Sequence, residues 1–537
     1  MQIEQTDVLI VGGGPVGLSM AIELGRRGIK CTLVEQGDGT IEHPRTGLIA
    51  IRTMEMFRQW GLVERVRQCG FPEDYELSMF FCTSMNGLLL DVERYPSMRD
   101  APTPSETPEK KQRCPQLWLQ PILLEAAKAQ PSARIRLKHR YDTLDQDRDG
   151  VTATITDLET GQALEVRSRY VIACDGFNSR VRDQLGIAMP GRLLSYSVNM
   201  LIHAPNLLAN CKMGLGERYI FVGPEGTWGN LTVVDGKDIW RITVLGSEQK
   251  IDLASFDAAA WVRRAIGRDD VVFKIDSTVP WRRSETLADK FHAGRVVLAG
   301  DALHTMSPTG GMGMNTGMQE VMDLGWKLEA LIRGWGGPRL LESYESERKP
   351  VAARNIGFST SNFRAWTDIP SPRAVCDETP EGEETRRLLG ARLRESTRVE
   401  WESVGLQLGH RYENSPICVA DGTPPTPDDY STYIQTARPG SRAPHAWLRD
   451  GRSTLDLFGK GFVLLAFDDH HRAAETALVS ALEKRGVPVT VQRLDEHRVA
   501  ELYERPLVLV RPDGHVAWRG EEVADPVAVA DTVRGMN

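Results

Sequence analysis

An apolar run that stops on a cluster of glycines and restarts as an amphipathic helix leaves few folds open, and this chain begins with one. Residues 7–11 (Asp-Val-Leu-Ile-Val) read as a buried parallel strand, residues 12–17 (Gly-Gly-Gly-Pro-Val-Gly) as the turn, and residues 18–27 as a helix with apolar positions at helical spacing. Gly12 permits the tight turn, Gly14 and Pro15 leave the backbone open to a pyrophosphate, and Gly17 lets helix and strand pack closely. A second strand over 30–34 ends in Glu35 and Gln36. Glu35 stands 18 residues after Gly17, where a carboxylate takes the hydroxyls of an adenosine ribose and repels a 2′-phosphate. FAD or NAD is expected rather than NADP.

Residues 295–315 supply a second address. An apolar strand over 296–299 stops at Gly300, and Asp301 is the first charged group beyond its carboxyl end, where open α/β sheets hold ligands. Pro308, Gly310, Gly311 and Gly313 follow, then an amphipathic run through Lys327. A helix is expected to start there with its amides bare, a place that attracts negative charge.

At 537 residues the chain has room for about three domains. The net charge of -8 and the lack of any Lys/Arg block or basic stripe argue against nucleic acid. The longest apolar runs, such as 462–467, are too short to span a bilayer. A strand beginning by residue 7 leaves no room for a signal peptide, so a cytoplasmic protein is expected. The eight cysteines contain no CxxC and no metal-like pairing with histidine, so reduced thiols and no metal site are expected.

Composition shifts along the chain divide it. A helix is expected over 52–60, ended by Gly61, and another over 120–129. The polar, proline-rich stretch 95–112 reads as a mobile loop that could act as a lid. Residues 170–174 form another buried strand before Asp175-Gly176. Short alternating strands over 193–281 indicate an inserted antiparallel sheet, one face of which would wall a substrate pocket. Helices are expected over 338–364 and 381–405, a linker at 423–427, and a separate βαβ rhythm from about residue 433. The expected α/β architecture is a Rossmann-like dinucleotide domain (1–75, 113–187, 283–370), an inserted antiparallel β-sheet domain (76–112, 188–282), a helical linker (371–422) and a C-terminal domain (423–537).

Three fingerprints occur in order: Gly12-x-Gly14-x-x-Gly17 with Glu35, Asp175-Gly176 before Asn-Ser-Arg, and Gly300-Asp301-Ala-x-His304 followed by Pro308-x-x-Gly-x-Gly-x-Asn315. Together they resemble single-component FAD-dependent aromatic hydroxylases. Pro44-Arg45, Arg52-Thr-x-Glu55, Tyr344-Glu-x-Glu-Arg348-Lys-Pro350 and residues 437–447 most resemble the phenol and chlorophenol monooxygenase branch, whose last domain is thioredoxin-like. Residues 419–537 hold no cysteine, which excludes a redox role for that domain and favours packing or oligomer contact, with a homodimer expected.

The resemblance implies roles for particular residues. Gly12, Gly14 and Gly17 would hold the pyrophosphate, Glu35 the adenosine ribose, Arg45 the phosphates or ribityl chain, and Gln120, opening a helix, the ribityl. Asp175 would stand near the transient nicotinamide, and Asp301 would take a ribityl hydroxyl or approach the pyrophosphate through water. Pro308 would lie against the isoalloxazine, while Gly311, Gly313, Met314 and Asn315 would meet the pyrimidine edge with their amides. His304 reads equally as a scaffold residue and as a proton donor. The implied reaction uses NADPH or NADH to reduce the flavin and O₂ to form a C4a-hydroperoxide that hydroxylates a small electron-rich aromatic. A closed, largely apolar pocket is then required. Gly47 and Ile49 on an apolar loop, and Tyr219, Trp228 and Asn230 on the inserted sheet, are its candidate walls. Gly47 stands where related phenol hydroxylases carry an Asp or His, so no side-chain base is assigned. Two other readings share the cofactor residues or part of them: a flavoprotein dehydrogenase or oxidase, and a nucleotide-binding protein without catalysis.

Overall fold

A computed structural model describes residues 3–44 and 47–537. Its centre is a six-stranded sheet in which His292–Ala293, Val296–Leu298, Tyr170–Ala173, Val8–Val11, Cys31–Glu35 and Ala133–Leu137 lie side by side. All neighbours run parallel except the edge pair at His292–Ala293. Its inner strands are apolar and buried on both faces, helix Pro15–Arg26 and, from a flanking sheet, Tyr141, Leu144, Ala153 and Val166 sharing their core. Val11 pairs with Ala173 and Val34, and Ala173 with Leu298, so the glycine turn, the 174–181 segment and Gly300 leave the sheet along one edge.

A small sheet of Ile3–Gln5, Ala163–Ser168, Val151–Asp157 and His139–Gln146 flanks this core. The substrate-side sheet has eight strands: His304–Thr305, Lys274–Leu287, Gly191–His203, Ile239–Ser247, Gly226–Val233, Arg218–Gly223, Met79–Cys82 and Leu89–Glu93. It is antiparallel apart from the pair Arg218–Gly223 with Met79–Cys82. The expected boundary at 282/283 falls inside one 14-residue strand, Lys274–Leu287, whose last residues pair with His304–Thr305. The two sheets are thereby joined through the 300–315 segment.

Two expectations are corrected. Residues 371–422 are not a linker: Pro380–Trp401 lies on the substrate-side sheet, where Leu389 and Leu393 bury Phe81, Leu90, Ile220 and Val222. Nor is 95–112 a loose lid. Thr107 and Glu109 are buried, Thr107 donates to Glu55 (2.7 Å), Glu109 accepts from Arg58 (3.0 Å), and Arg442 donates to the Glu106 carbonyl (3.1 Å). A polar stretch signals solvent only when its charges lack buried partners, and here they have them.

The C-terminal sheet runs Val489–Arg493, Phe462–Ala466, Leu507–Val510, Val516–Gly520, with the first pair parallel and the other two antiparallel. Trp326 and Trp335 pack against Phe462 at this junction. Beside them Arg511 binds Asp323 (2.9 Å), Glu347 (2.5 Å) and Asp513 (2.6 Å), while Lys327 reaches Asp323 (2.7 Å) and Glu347 (2.6 Å). Burial opposes the Glu347 charge, but Arg511 and Lys327 outweigh it and hold the carboxyl down to about 2. Among the described residues no helix is long and apolar enough to cross a membrane.

Removing one member of so buried a cluster leaves charges uncompensated, so Arg511→Met should lower unfolding stability by about 3–5 kcal/mol. Denaturant titration checks this, with Arg452→Met at an exposed ion pair leaving the midpoint unchanged.

Candidate functional site

The glycine turn is held from both sides. A Cβ on Gly12 would stand 2.3 Å from the Cys174 carbonyl, and one on Gly17 2.0 Å from the Gly12 carbonyl. Any larger residue would pry helix Pro15–Arg26 off the sheet. At Gly14 a Cβ would meet nothing within 4 Å, so the turn faces open space there. Glu35 accepts from the Gly13 amide (2.6 Å) and the Gly37 amide (2.6 Å), which fixes its carboxylate beside the turn with lone pairs to spare. Gln36 is exposed.

Gln120 lies in the second turn of helix Gln116–Lys128, not at its start. It donates to the Gly13 carbonyl (2.7 Å), and its Oε1 is buried without a hydrogen-bond partner. Asp175 has one oxygen on the Val181 amide (3.3 Å) and the other buried without a partner, and burial pushes its carboxyl up. Two orphaned acceptors and an open glycine on one sheet edge are what a hydroxyl-rich, anionic cofactor would satisfy. Arg45 lies outside the described residues.

On the other side of this edge, Gly300–Ala302 forms a 3₁₀ turn that leaves Asp301 exposed. Glu320, reaching back from helix Met312–Arg333, accepts from the Gly300 amide (2.8 Å) and bonds His304 Nε2 (2.8 Å), all three groups being buried. Burial disfavours the His304 charge, but Glu320 outweighs it and the pKa is raised. His304 is thus a scaffold group.

Pro308 is exposed, and Gly311, at a φ of 66°, caps helix Met312–Arg333. The bare amides of the first turn are then those of Met312, Gly313 and Met314. Asn315 differs from expectation: its amide is the first one helix geometry takes up, and its side chain is buried. Asn315 Oδ1 accepts from the Ala50 amide (2.9 Å) and Thr53 hydroxyl (2.8 Å), while Nδ2 donates to the carbonyls of Leu48 (3.1 Å) and Gly311 (2.7 Å). It clamps the 47–53 segment to the glycine loop.

The proposed pocket walls divide. Leu48–Ile49 pairs with Gln112–Arg113, so its two side chains point apart. Ile49 is fully buried in the core of the parallel sheet, whereas Leu48 lies against Gly311. Gly47 is not in apolar surroundings: a Cβ there would stand 3.2 Å from the Arg113 guanidinium. Tyr219 and Trp228 belong to the far face of the sheet. Tyr219 stacks on Phe80 (5.3 Å), with its hydroxyl on the Gly214 carbonyl (2.5 Å), and Trp228 stacks on Phe221 (4.9 Å). A bulge in the pairing at Phe221/Val222 shifts the alternation there. Asn230 is on the other face, opposite Thr243, in a row with Thr232 and Arg241. This face reaches the glycine loop: Arg283 donates to Ser307 (2.8 Å), and His43 Nδ1 meets Ser277 (2.8 Å).

Sequence reading missed Glu320 and Glu400, since a carboxylate in a helical run looks like a solvated face. Glu400 accepts from the Gly310 amide (2.9 Å), Arg218 (3.2 Å) and Trp366 Nε1 (2.9 Å), tying helix Pro380–Trp401 to the glycine loop.

Comparison with known proteins gives matches along the chain. A family described as FAD binding domain matches residues 5–359, and one described as aromatic-ring hydroxylase, C-terminal, matches residues 436–535. A putative polyketide hydroxylase of Streptomyces halstedii is 32% identical, covering 99% of this chain and 95% of its own. A 2,4-dichlorophenol 6-monooxygenase of Delftia acidovorans is 31% identical over 96% and 95%. The solved structure of RebC soaked with chromopyrrolic acid and holding 7-carboxy-K252c superposes with a TM-score of 0.93, at 40% identity and 100% coverage of both chains.

A raised histidine pKa stabilises the fold below about pH 6.5, the unfolded value, and that contribution is lost as pH rises through the folded one. The gap in Tm between wild type and His304→Gln should therefore be widest near about pH 6 and shrink toward alkaline pH. Thermal melts across pH check this, and a constant gap would count against it.

Proposed function

This chain belongs to the FAD-dependent aromatic-ring hydroxylases, and from that premise we propose which of its residues hold the cofactor and how they serve the reaction. Bound FAD supplies the redox chemistry, taking electrons from NADPH or NADH and passing one oxygen atom of O₂ to an aromatic ring. In our reading the open turn at Gly12, Gly14, Pro15 and Gly17 takes the pyrophosphate, where the start of helix Pro15–Arg26 favours negative charge. Glu35 and Gln36 face the adenosine ribose, and Arg45 the phosphates. The partnerless oxygen of Gln120 accepts a ribityl hydroxyl, and that of Asp175 a hydroxyl or amide of the cofactors. Asp301 takes a further ribityl hydroxyl, and the exposed ring of Pro308 packs on the flavin. The amides of Met312, Gly313 and Met314, at the positive end of a 22-residue helix, favour electron density at the flavin pyrimidine edge.

The observation that carries this reading is the meeting, along one sheet edge, of an open glycine turn, two orphaned buried oxygens and a bare helix start. Leu48, clamped by Asn315, and the face bearing Asn230 would then enclose the substrate and exclude water. The strand order and helices of the C-terminal domain support a thioredoxin-like fold in a structural role, given the absence of cysteine beyond Cys418. Relatives named for a dichlorophenol and for a polyketide make both single rings and fused rings candidate substrates.

The purified yellow protein should show NAD(P)H oxidation stimulated by members of a phenol and fused-ring panel, with one atom from ¹⁸O₂ in the product by mass spectrometry. An oxidised product without the label would instead identify a dehydrogenase or oxidase. Asp301→Ala should weaken FAD binding by roughly tenfold, read as flavin content after gel filtration and by titration with FAD; a fully yellow variant with unchanged turnover would remove Asp301 from the site.

A further inference from the structure

Two cysteines far apart in sequence meet beside the segment that walls the substrate side. Cys69 lies just beyond helix Val63–Arg67, and its thiol donates to the Arg113 carbonyl (3.6 Å), part of the peptide group that joins Arg113 to Cys114. The Cys114 thiol donates in turn to the Cys69 sulfur. The two stretches are packed together around this point: a Cβ on Gly70 would stand 3.2 Å from the Trp118 indole, and the Arg113 guanidinium lies over the Phe71 ring (5.8 Å). Both sulfurs join the core of the parallel sheet, Cys114 fully buried and Cys69 half-buried.

The pair is asymmetric, as a reactive thiol and its resolving partner must be. The hydrogen bond from Cys114 brings the Cys69 thiol down to about 7 against the cost of burial, with the Arg113 guanidinium assisting, while the same bond and burial push the Cys114 thiol up. The thiolate is the form that oxidants attack, and Cys69 is the member of the pair that solvent reaches. Cys376 alone among the eight thiols is exposed, yet its thiol is pushed up by partial burial and by Glu225 and Asp377.

We propose that Cys69 and Cys114 form a reversible oxidation site, closed to a disulfide by hydrogen peroxide. The Cys69 thiolate attacks peroxide, an S–O bond forming as the O–O bond breaks and hydroxide leaves. Cys114 then attacks that sulfur, giving up its proton as the S–S bond forms and the S–O bond breaks with loss of water. Two thiols and one peroxide become a disulfide and two waters. A flavin hydroxylase supplies the oxidant itself, since NAD(P)H, O₂ and a proton yield NAD(P)⁺ and hydrogen peroxide when no ring is oxygenated. That supply rests on the hydroxylase reading; the cross-link does not. Its effect follows from where Cys114 stands. Strand Gln112–Arg113 pairs with Leu48–Ile49, and the Cys114 amide donates to the Gly47 carbonyl (2.9 Å). A disulfide draws its sulfurs to about 2 Å, so closing it pulls on the strand that sets Leu48 against Gly311. Peroxide made in wasted turnover would thus slow the enzyme that makes it.

The test treats the FAD-loaded full chain with a few equivalents of hydrogen peroxide, blocks remaining thiols under denaturing conditions, digests without reductant and reads the peptides by mass spectrometry. Wild type should lose two of its eight free thiols and yield one linked pair, Cys69 to Cys114, which dithiothreitol reopens. NAD(P)H consumption with the most stimulating aromatic of the panel should fall roughly tenfold on linking and recover on reduction. Cys69→Ser should keep its untreated rate through the same exposure, and Cys114→Ala should stop at a Cys69 sulfenic acid that dimedone traps. The proposal is overturned by a wild-type Cys69 that passes to sulfinic acid while Cys114 stays reduced, by oxidation of Cys376 ahead of Cys69, or by a linked protein with unchanged turnover. During NAD(P)H turnover in air the same link should form unaided, and catalase should prevent it; a link that catalase leaves untouched counts against peroxide as the oxidant. If no aromatic is oxygenated in the wider panel, the hydroxylase reading fails while linkage by added peroxide still upholds the site.

Discussion

The register of four neighbouring strands governs everything else in the molecule. Because Val34, Val11, Ala173 and Leu298 are aligned across the parallel sheet, four chain segments far apart in sequence leave it at one edge. A slip of one residue would draw a charged strand-end neighbour such as Asp7 or Glu35 into the buried ladder, so the cost of burying that charge fixes where Glu35, the glycine turn, Asp175 and Gly300 meet. Helix Met312–Arg333 carries that edge outward: its first turn adjoins the glycine loop, Glu320 locks Gly300 about two turns further on, and Asp323 and Lys327 tie it to the C-terminal domain.

Much of this was legible in the sequence because it rests on local rules. Gly12, Gly14 and Gly17 have the three different surroundings their spacing implies, and Gly61 caps helix Ile51–Trp60 in the left-handed conformation. What escaped depends on long-range pairing. Tyr219 and Trp228 looked like pocket aromatics, but strand alternation and a bulge turn them to the apolar face. Ile49 and Leu48 are neighbours with opposite fates, decided by a two-residue strand too short to have a readable period. Glu320 and Glu400 resemble solvated helix residues until the glycine amides they accept from are brought to them by the fold.

The substrate-side sheet has an unusual division of labour. Its outer face is an aromatic and aliphatic core of its own, while its inner face is polar yet buried, holding Asn230, Thr232, Thr243 and Arg283 within a tenth of full exposure. Such a face is stable only while each polar group has a partner, from the protein or from what it binds. Helices Arg339–Thr367 and Pro380–Trp401 close one end of it, where Trp366 and Trp401 flank Arg218. The other end is left to the cofactor loop.

The cluster at Arg511 has a bearing on how the polypeptide is made. Asp323, Lys327 and Glu347 leave the ribosome long before the arginine that completes them, which lies 26 residues from the chain's end. Until then Asp323 on the helix behind the glycine loop and Glu347 on the next helix face a single lysine, Lys327, without the arginine. Domains usually fold as they emerge, the amino-terminal one first. Here the flank of the first domain is completed only by residues of the last, so a chain truncated before Arg511 would keep its amino-terminal motifs while its central helix lost the partner of Asp323.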